Sequence, residues 1–117
     1  MATFQGLDVD RFGRVVPAIA GAGTNSPVAV TLAAQAGMRH HILGVTWSYS
    51  GAPTGGRLST TGLEGDEFDV DITAGGPGAM LMPPAVSTRG GEVVVTLAAG
   101  GAAVVGKLTV FALTVPG

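Results

Sequence analysis

The sequence predicts an all-β fold: an antiparallel β-sandwich of seven strands, eight if the N-terminal segment adds one near Val15, with an extended N-terminal arm. Three observations predict it. Apolar residues recur with period 2 in several runs, the pattern of strands that bury one face and wet the other. Glycine, at 20 of 117 positions, and proline, at 7, collect between those runs, where turns must be. No long stretch carries the 3.6-residue periodicity of an amphipathic helix. Charged residues make up only 12%, about half the usual share of roughly 25%. Mean hydropathy is nevertheless positive, +0.47, the opposite of the balance that keeps a chain disordered.

The elements follow in order. Residues 1–27 read as the arm: they lack clear alternation and end in the loop signal Gly21-Ala22-Gly23-Thr24-Asn25-Ser26-Pro27. Residues 28–117 read as the sandwich domain. Its first strand covers 28–34, with Val28, Val30 and Leu32 on one face, and Gln35-Ala36-Gly37 turns the chain. A long strand over 40–50 places Leu43, Val45, Trp47 and Tyr49 on the expected inner face. A short strand at 57–61 carries Leu58. Over 66–73, Phe68, Val70 and Ile72 point in, while Glu67, Asp69 and Asp71 point out. Residues 79–82 form a short strand stopped by Pro83-Pro84. Val93, Val95 and Leu97 share a face within 92–98. The last strand, 104–115, is apolar on both sides: Leu108 and Val110 point one way, Phe111, Leu113 and Val115 the other. A strand apolar on both faces is central or lies in an interface.

Composition also limits function. A net charge of −2 argues against phosphate-driven nucleic-acid binding. The absence of cysteine removes disulfides, thiolate chemistry and Cys-ligated zinc. The start, Met1-Ala2-Thr3-Phe4-Gln5-Gly6-Leu7-Asp8, lacks the basic-then-apolar order of a signal peptide. The most apolar stretch, 93–115, is broken by Gly100-Gly101 and Gly106 and reads as two strands and a turn, so no membrane span is expected.

Each chemical motif has a plainer reading. Gly101-Ala102-Ala103-Val104-Val105-Gly106-Lys107 matches the opening of a phosphate loop. Leu108 then stands where Ser or Thr is needed, and a strand follows instead of a helix, so a turn with a solvated lysine is expected. Asp8-Val9-Asp10-Arg11-Phe12-Gly13 opens like a calcium loop, but Phe12 and Ile19 occupy ligand positions. Glu64, Asp66, Glu67, Asp69 and Asp71 could hold Ca²⁺ if a loop closed over them. The alternative is a solvated outer strand protected from edge pairing by its charge. His40 and His41 point to opposite faces of one strand and cannot chelate one metal as a pair; a structural histidine is the simpler reading. Trp47 and Tyr49 could stack on a sugar, yet they share a strand face with Leu43 and Val45 and so read as core residues. No catalytic residue, metal ligand or cofactor is expected.

Ala36-Gly37-Met38-Arg39-His40, then Ser48-Tyr49-Ser50-Gly51-Ala52-Pro53-Thr54-Gly55-Gly56-Arg57-Leu58, then Val94-Val95-Thr96-Leu97-Ala98-Ala99-Gly100-Gly101-Ala102-Ala103 form a series of strand and turn phrases. Over residues 28–117 it resembles the small β-sandwich virion proteins of tailed bacteriophages. The resemblance implies a jelly roll, a homotrimer, and a role as a head decoration, cement or minor capsid protein bound to a major capsid protein. It implies a virion location, synthesis in the host cytoplasm, and no reaction. With so few charges, a small chain leaves apolar surface exposed, which marks interfaces. Phe4, Leu7, Phe12 and Val15 of the arm have no other core to fill. With Phe111 and Leu113 they are the expected interface residues. The alternative function is a carbohydrate-binding sandwich for host adsorption, which needs Trp47 or Tyr49 exposed. A small hydrolase using His41 or the acidic strand is a third class.

Overall fold

A computed structural model describes residues 14–65 and 67–117. Eight strands follow in chain order: β1 (Arg14–Thr24), β2 (Val28–Leu32), β3 (Met38–Tyr49), β4 (Gly56–Thr61), β5 (Asp69–Ile72), β6 (Gly76–Val86), β7 (Val93–Leu97) and β8 (Val105–Pro116). They pair as one long nested hairpin: β1 with β8, β2 with β7, β3 with β6 and β4 with β5, all antiparallel. Two lateral pairings, β3 with β8 and β4 with β7, roll that hairpin up. Two four-stranded sheets result, ordered β1-β8-β3-β6 and β2-β7-β4-β5. This is the strand order of a jelly roll, the eight-stranded double Greek key.

The core lies between the sheets and follows the period-2 pattern. Val28, Val30, Leu32, Leu58, Val93, Val95 and Leu97 face it from one sheet; Ile42, Val45, Tyr49, Leu108, Val110 and Ala112 face it from the other. Tyr49 ties the layers together. Its ring packs on Gly100 and Gly106, where a side chain at Gly100 would come within 2.8 Å of it, and its hydroxyl donates to the Ala98 carbonyl at 2.7 Å.

Three elements differ from the sequence expectation. Residues 14–24, assigned to the arm, form β1 and pair with β8, so the sandwich begins at Arg14 rather than at residue 28. Residues 1–13 lie outside the described residues. The strand expected to stop before Pro83-Pro84 runs through both prolines and begins at Gly76. It can do so because β6 is an edge strand and its pairing with β3 skips from Leu81 to Ala85, so neither proline has to donate to the ladder. The third difference is in β3. Its register shifts between Ile42 and Gly44, where two steps on β3 oppose one on β8, from Ala112 to Phe111. This β-bulge exchanges the faces. His40 and Ile42 point inward before it, Val45 and Tyr49 after it, and Leu43 is turned out to 42% exposure.

Candidate functional site

The outer face of the β1-β8-β3-β6 sheet divides in two. Toward one end it is polar: exposed Lys107 pairs in register with Ser48, and Thr109 with Thr46. Toward the other it is apolar. Phe111, 43% exposed, lies opposite Gly44, and Leu43 stands beside it; half-buried Leu113 and Val115 continue the row along β8. Among the described residues, Leu43 and Phe111 are the large hydrophobic side chains left exposed. The bulge supplies Leu43. The β8 alternation that puts Leu108 and Val110 in the core necessarily puts Phe111 and Leu113 outside.

Of the expected interface residues, Phe111 and Leu113 therefore share this face. Val15 is the register partner of Leu113 across the β1–β8 pairing. Phe4, Leu7 and Phe12 lie outside the described residues. Leu43 was expected in the core; the signal that marks it is the Leu-Gly step, because glycine inside a strand often marks a bulge.

The remaining motifs serve the fold. His40 is 2% exposed. Its Nε2 donates to the Ala33 carbonyl at 2.8 Å, so in the neutral ring Nδ1 accepts from the Thr114 hydroxyl at 2.8 Å. Its backbone N–H donates to Ser87 Oγ at 2.9 Å, and the Ser87 hydroxyl donates to the Thr88 carbonyl at 2.9 Å. These bonds join β3 and β8 to the segments that follow β2 and β6. Half-buried His41 lies on the outer face beside Leu113.

Of the acidic cluster, Asp66 lies outside the described residues, and Asp69, Glu64 and Glu67 have separate partners. Asp69 accepts two hydrogen bonds from Arg57, Nε to Oδ1 at 2.6 Å and Nη2 to Oδ2 at 2.5 Å. The hydrogen bond from Arg57 and its positive charge hold the Asp69 carboxyl below its usual range, and the same hydrogen bond with the negative charge of Asp69 raises the Arg57 guanidinium above its own. The pair therefore favours folding above the ordinary aspartate range and loses that contribution as pH falls through the lowered value. It is solvent-exposed and screened, so its contribution is small. Glu64 accepts from Arg39 at 3.1 Å, and Glu67 accepts from the Leu63 N–H at 3.2 Å. Among the described residues, no group of three or more His, Asp or Glu is placed to hold a metal ion. The phosphate-loop look-alike is a turn closed by Val104 N–H to the Gly101 carbonyl at 3.1 Å, followed by β8 with Lys107 in solvent.

The aromatics separate. Tyr49 is buried at 1% exposure. Trp47 is half-buried, packs against the core and lies over Gly78 of β6, where any side chain would collide with the indole.

The chain is thus a jelly-roll module with one apolar outer sheet face. No family model matches it, and no curated protein matches it. Solved structures resemble it at low identity. A CBM61 module in complex with β-1,4-galactotriose is 12% identical over 86% of this chain and 70% of that one, with a TM-score of 0.43. A CBM36 carbohydrate-binding module in complex with calcium and xylotriose is 15% identical over 86% and 91%, with a TM-score of 0.36. A structure of infectious bursal disease virus, Gx strain, is 16% identical over all of this chain and 36% of that one, with a TM-score of 0.35. Jelly rolls serve capsids and lectins alike, so architecture leaves function to the site.

Proposed function

We propose that the chain is a non-enzymatic structural protein of a tailed-bacteriophage particle, a head decoration, cement or minor capsid protein that self-associates and docks on a major capsid protein. The observation that carries this reading is the apolar half of the β1-β8-β3-β6 outer face, centred on Leu43 and Phe111. Full burial of a Leu or Phe contributes about 1.5–3 kcal/mol, so covering what remains exposed of these two contributes roughly 1 kcal/mol each. That is weak for a solitary encounter and sufficient when many copies act together on one particle. β1 starts at Arg14, which pairs with Thr114 toward this apolar end, and the sequence before it carries Phe4, Leu7 and Phe12.

The test is recovery of the chain from purified, salt-washed virions of the phage that encodes it. Deleting residues 1–13 leaves β1 intact and is expected to reduce incorporation while circular dichroism stays that of a folded sandwich. Absence of the full-length chain from washed virions would sink the proposal.

The second reading is a carbohydrate-binding sandwich, favoured by the partial exposure of Trp47 beside edge strand β6. Glycan-dependent change in Trp47 fluorescence and in its acrylamide quenching supports it; a blue-shifted, glycan-insensitive emission opposes it.

A further inference from the structure

Among the described residues, the four sheet edges are unequally guarded. Edge strand β5 carries Asp69 and Asp71. Edge strand β6 contains Pro77, Pro83 and Pro84, each without an N–H to offer. Charges and prolines are the usual devices that keep a sheet edge from pairing with another chain. The other two edges, β1 and β2, lie together on the opposite side of the sandwich, where a side chain at Gly21 would meet Val28 at 3.0 Å. Both belong to a run, residues 15–38, that holds no charged residue. β2 is short, at five residues. β1 spans eleven. Pro17 and the register shift between Val16 and Ile19 interrupt only its first part; from Ile19 to Thr24 the pairing with β8 is regular. Ala20, Ala22 and Thr24 are exposed and small, so no long side chain screens the free backbone there.

We propose that the free edge of β1 is a self-association edge, on which a second copy of this chain pairs its own β1 antiparallel, about a two-fold axis normal to the sheet. The proposal rests on the structural role above and deepens it by naming the contact between copies. An antiparallel strand edge is its own complement under such an axis, because the alternating donors and acceptors of one copy meet the acceptors and donors of the other. A net charge of −2 sets little repulsion against the approach. The pairing satisfies backbone groups otherwise left to solvent and joins two four-stranded sheets into one of eight. Both outer faces then lie on the same side, and the two Leu43–Phe111 patches become parts of one broad apolar surface.

The experiment is the mass of the purified full-length chain against concentration, by light scattering and native mass spectrometry, with hydrogen exchange of residues 19–24. The expected result is a dimer whose β1 amides gain protection as it forms. Ala20→Lys, folded by circular dichroism, is expected to raise the dimer dissociation constant at least about tenfold through charge at the edge. If that variant does not fold, Thr24→Lys at the strand end takes its place. A monomer at all concentrations, a trimer, or a dimer unaffected by the lysine overturns the two-fold pairing. Incorporation into virions is read independently, so the pairing and the particle role fail separately.

Discussion

Gly62 shows how narrowly single residues are constrained in this fold. It sits at φ +95°, and any side chain there would strike the Glu92 carbonyl. Gly55 has a similar φ of +77° with open space around it. Gly55→Ala therefore carries only the cost of a left-handed conformation, about 1 kcal/mol. Gly62→Ala adds displacement of a backbone segment and is expected to cost at least about 2 kcal/mol. Urea denaturation of the two variants checks the order; equal costs would show that the Glu92 contact yields freely. Tyr49 supplies a second test. Burial pushes its phenol above the ordinary value of 10.0, partly offset by a backbone hydrogen bond at Arg57. The contribution is fully present below that value and is lost as pH rises through the raised one, because the unfolded chain releases its proton first. Stability measured from pH 8 to 11 is expected to decline at the alkaline end, and Tyr49→Phe to remove part of the decline. An unchanged alkaline slope would show that Tyr49 does not produce it.

At the scale of the element, the bulge in β3 governs the candidate site. A plain period-2 strand would bury Leu43 and expose Ile42; the register shift does the reverse. Ile42→Ala is expected to cost about 2–5 kcal/mol, as for a buried aliphatic truncation. Leu43→Ser is expected to cost only about 1 kcal/mol, because two-fifths of the side chain is already exposed. The reverse order in thermal or urea unfolding would mean that β3 runs without the bulge. The same element shows what was legible in the sequence. β2, β7 and β8 could be read directly, because their inward side chains recur at every second position without interruption. β1 was hidden because its regular half, from Ile19 to Thr24, alternates alanine with glycine and offers almost no hydrophobic contrast. The length of β6 was hidden because proline stops a central strand and not an edge strand, and edge position is a tertiary fact. Of the site, Phe111 and Leu113 were legible from the two-sided apolar β8. Leu43 was not, since one extra residue inverts the pattern without altering the composition.

At the scale of the whole molecule, the sparse charge and abundant glycine have a spatial order. Glycines and prolines turn the nested hairpin, acids concentrate around β5, and residues 15–38, which hold all of β2 and all of β1 after Arg14, carry no charge. One outer sheet face is half apolar, placed by the same alternation that fills the core. The central claim is that this face binds the particle. Its most direct test is co-sedimentation of the purified chain with virions, lacking it, of the phage proposed to encode it, comparing wild type with a Leu43→Ser, Phe111→Ser double variant. Both side chains are already about two-fifths exposed, so the variant is expected to fold as the wild type does by circular dichroism. The account predicts that the wild type pellets with the particles and the double variant stays in the supernatant; equal pelleting of the two would contradict it.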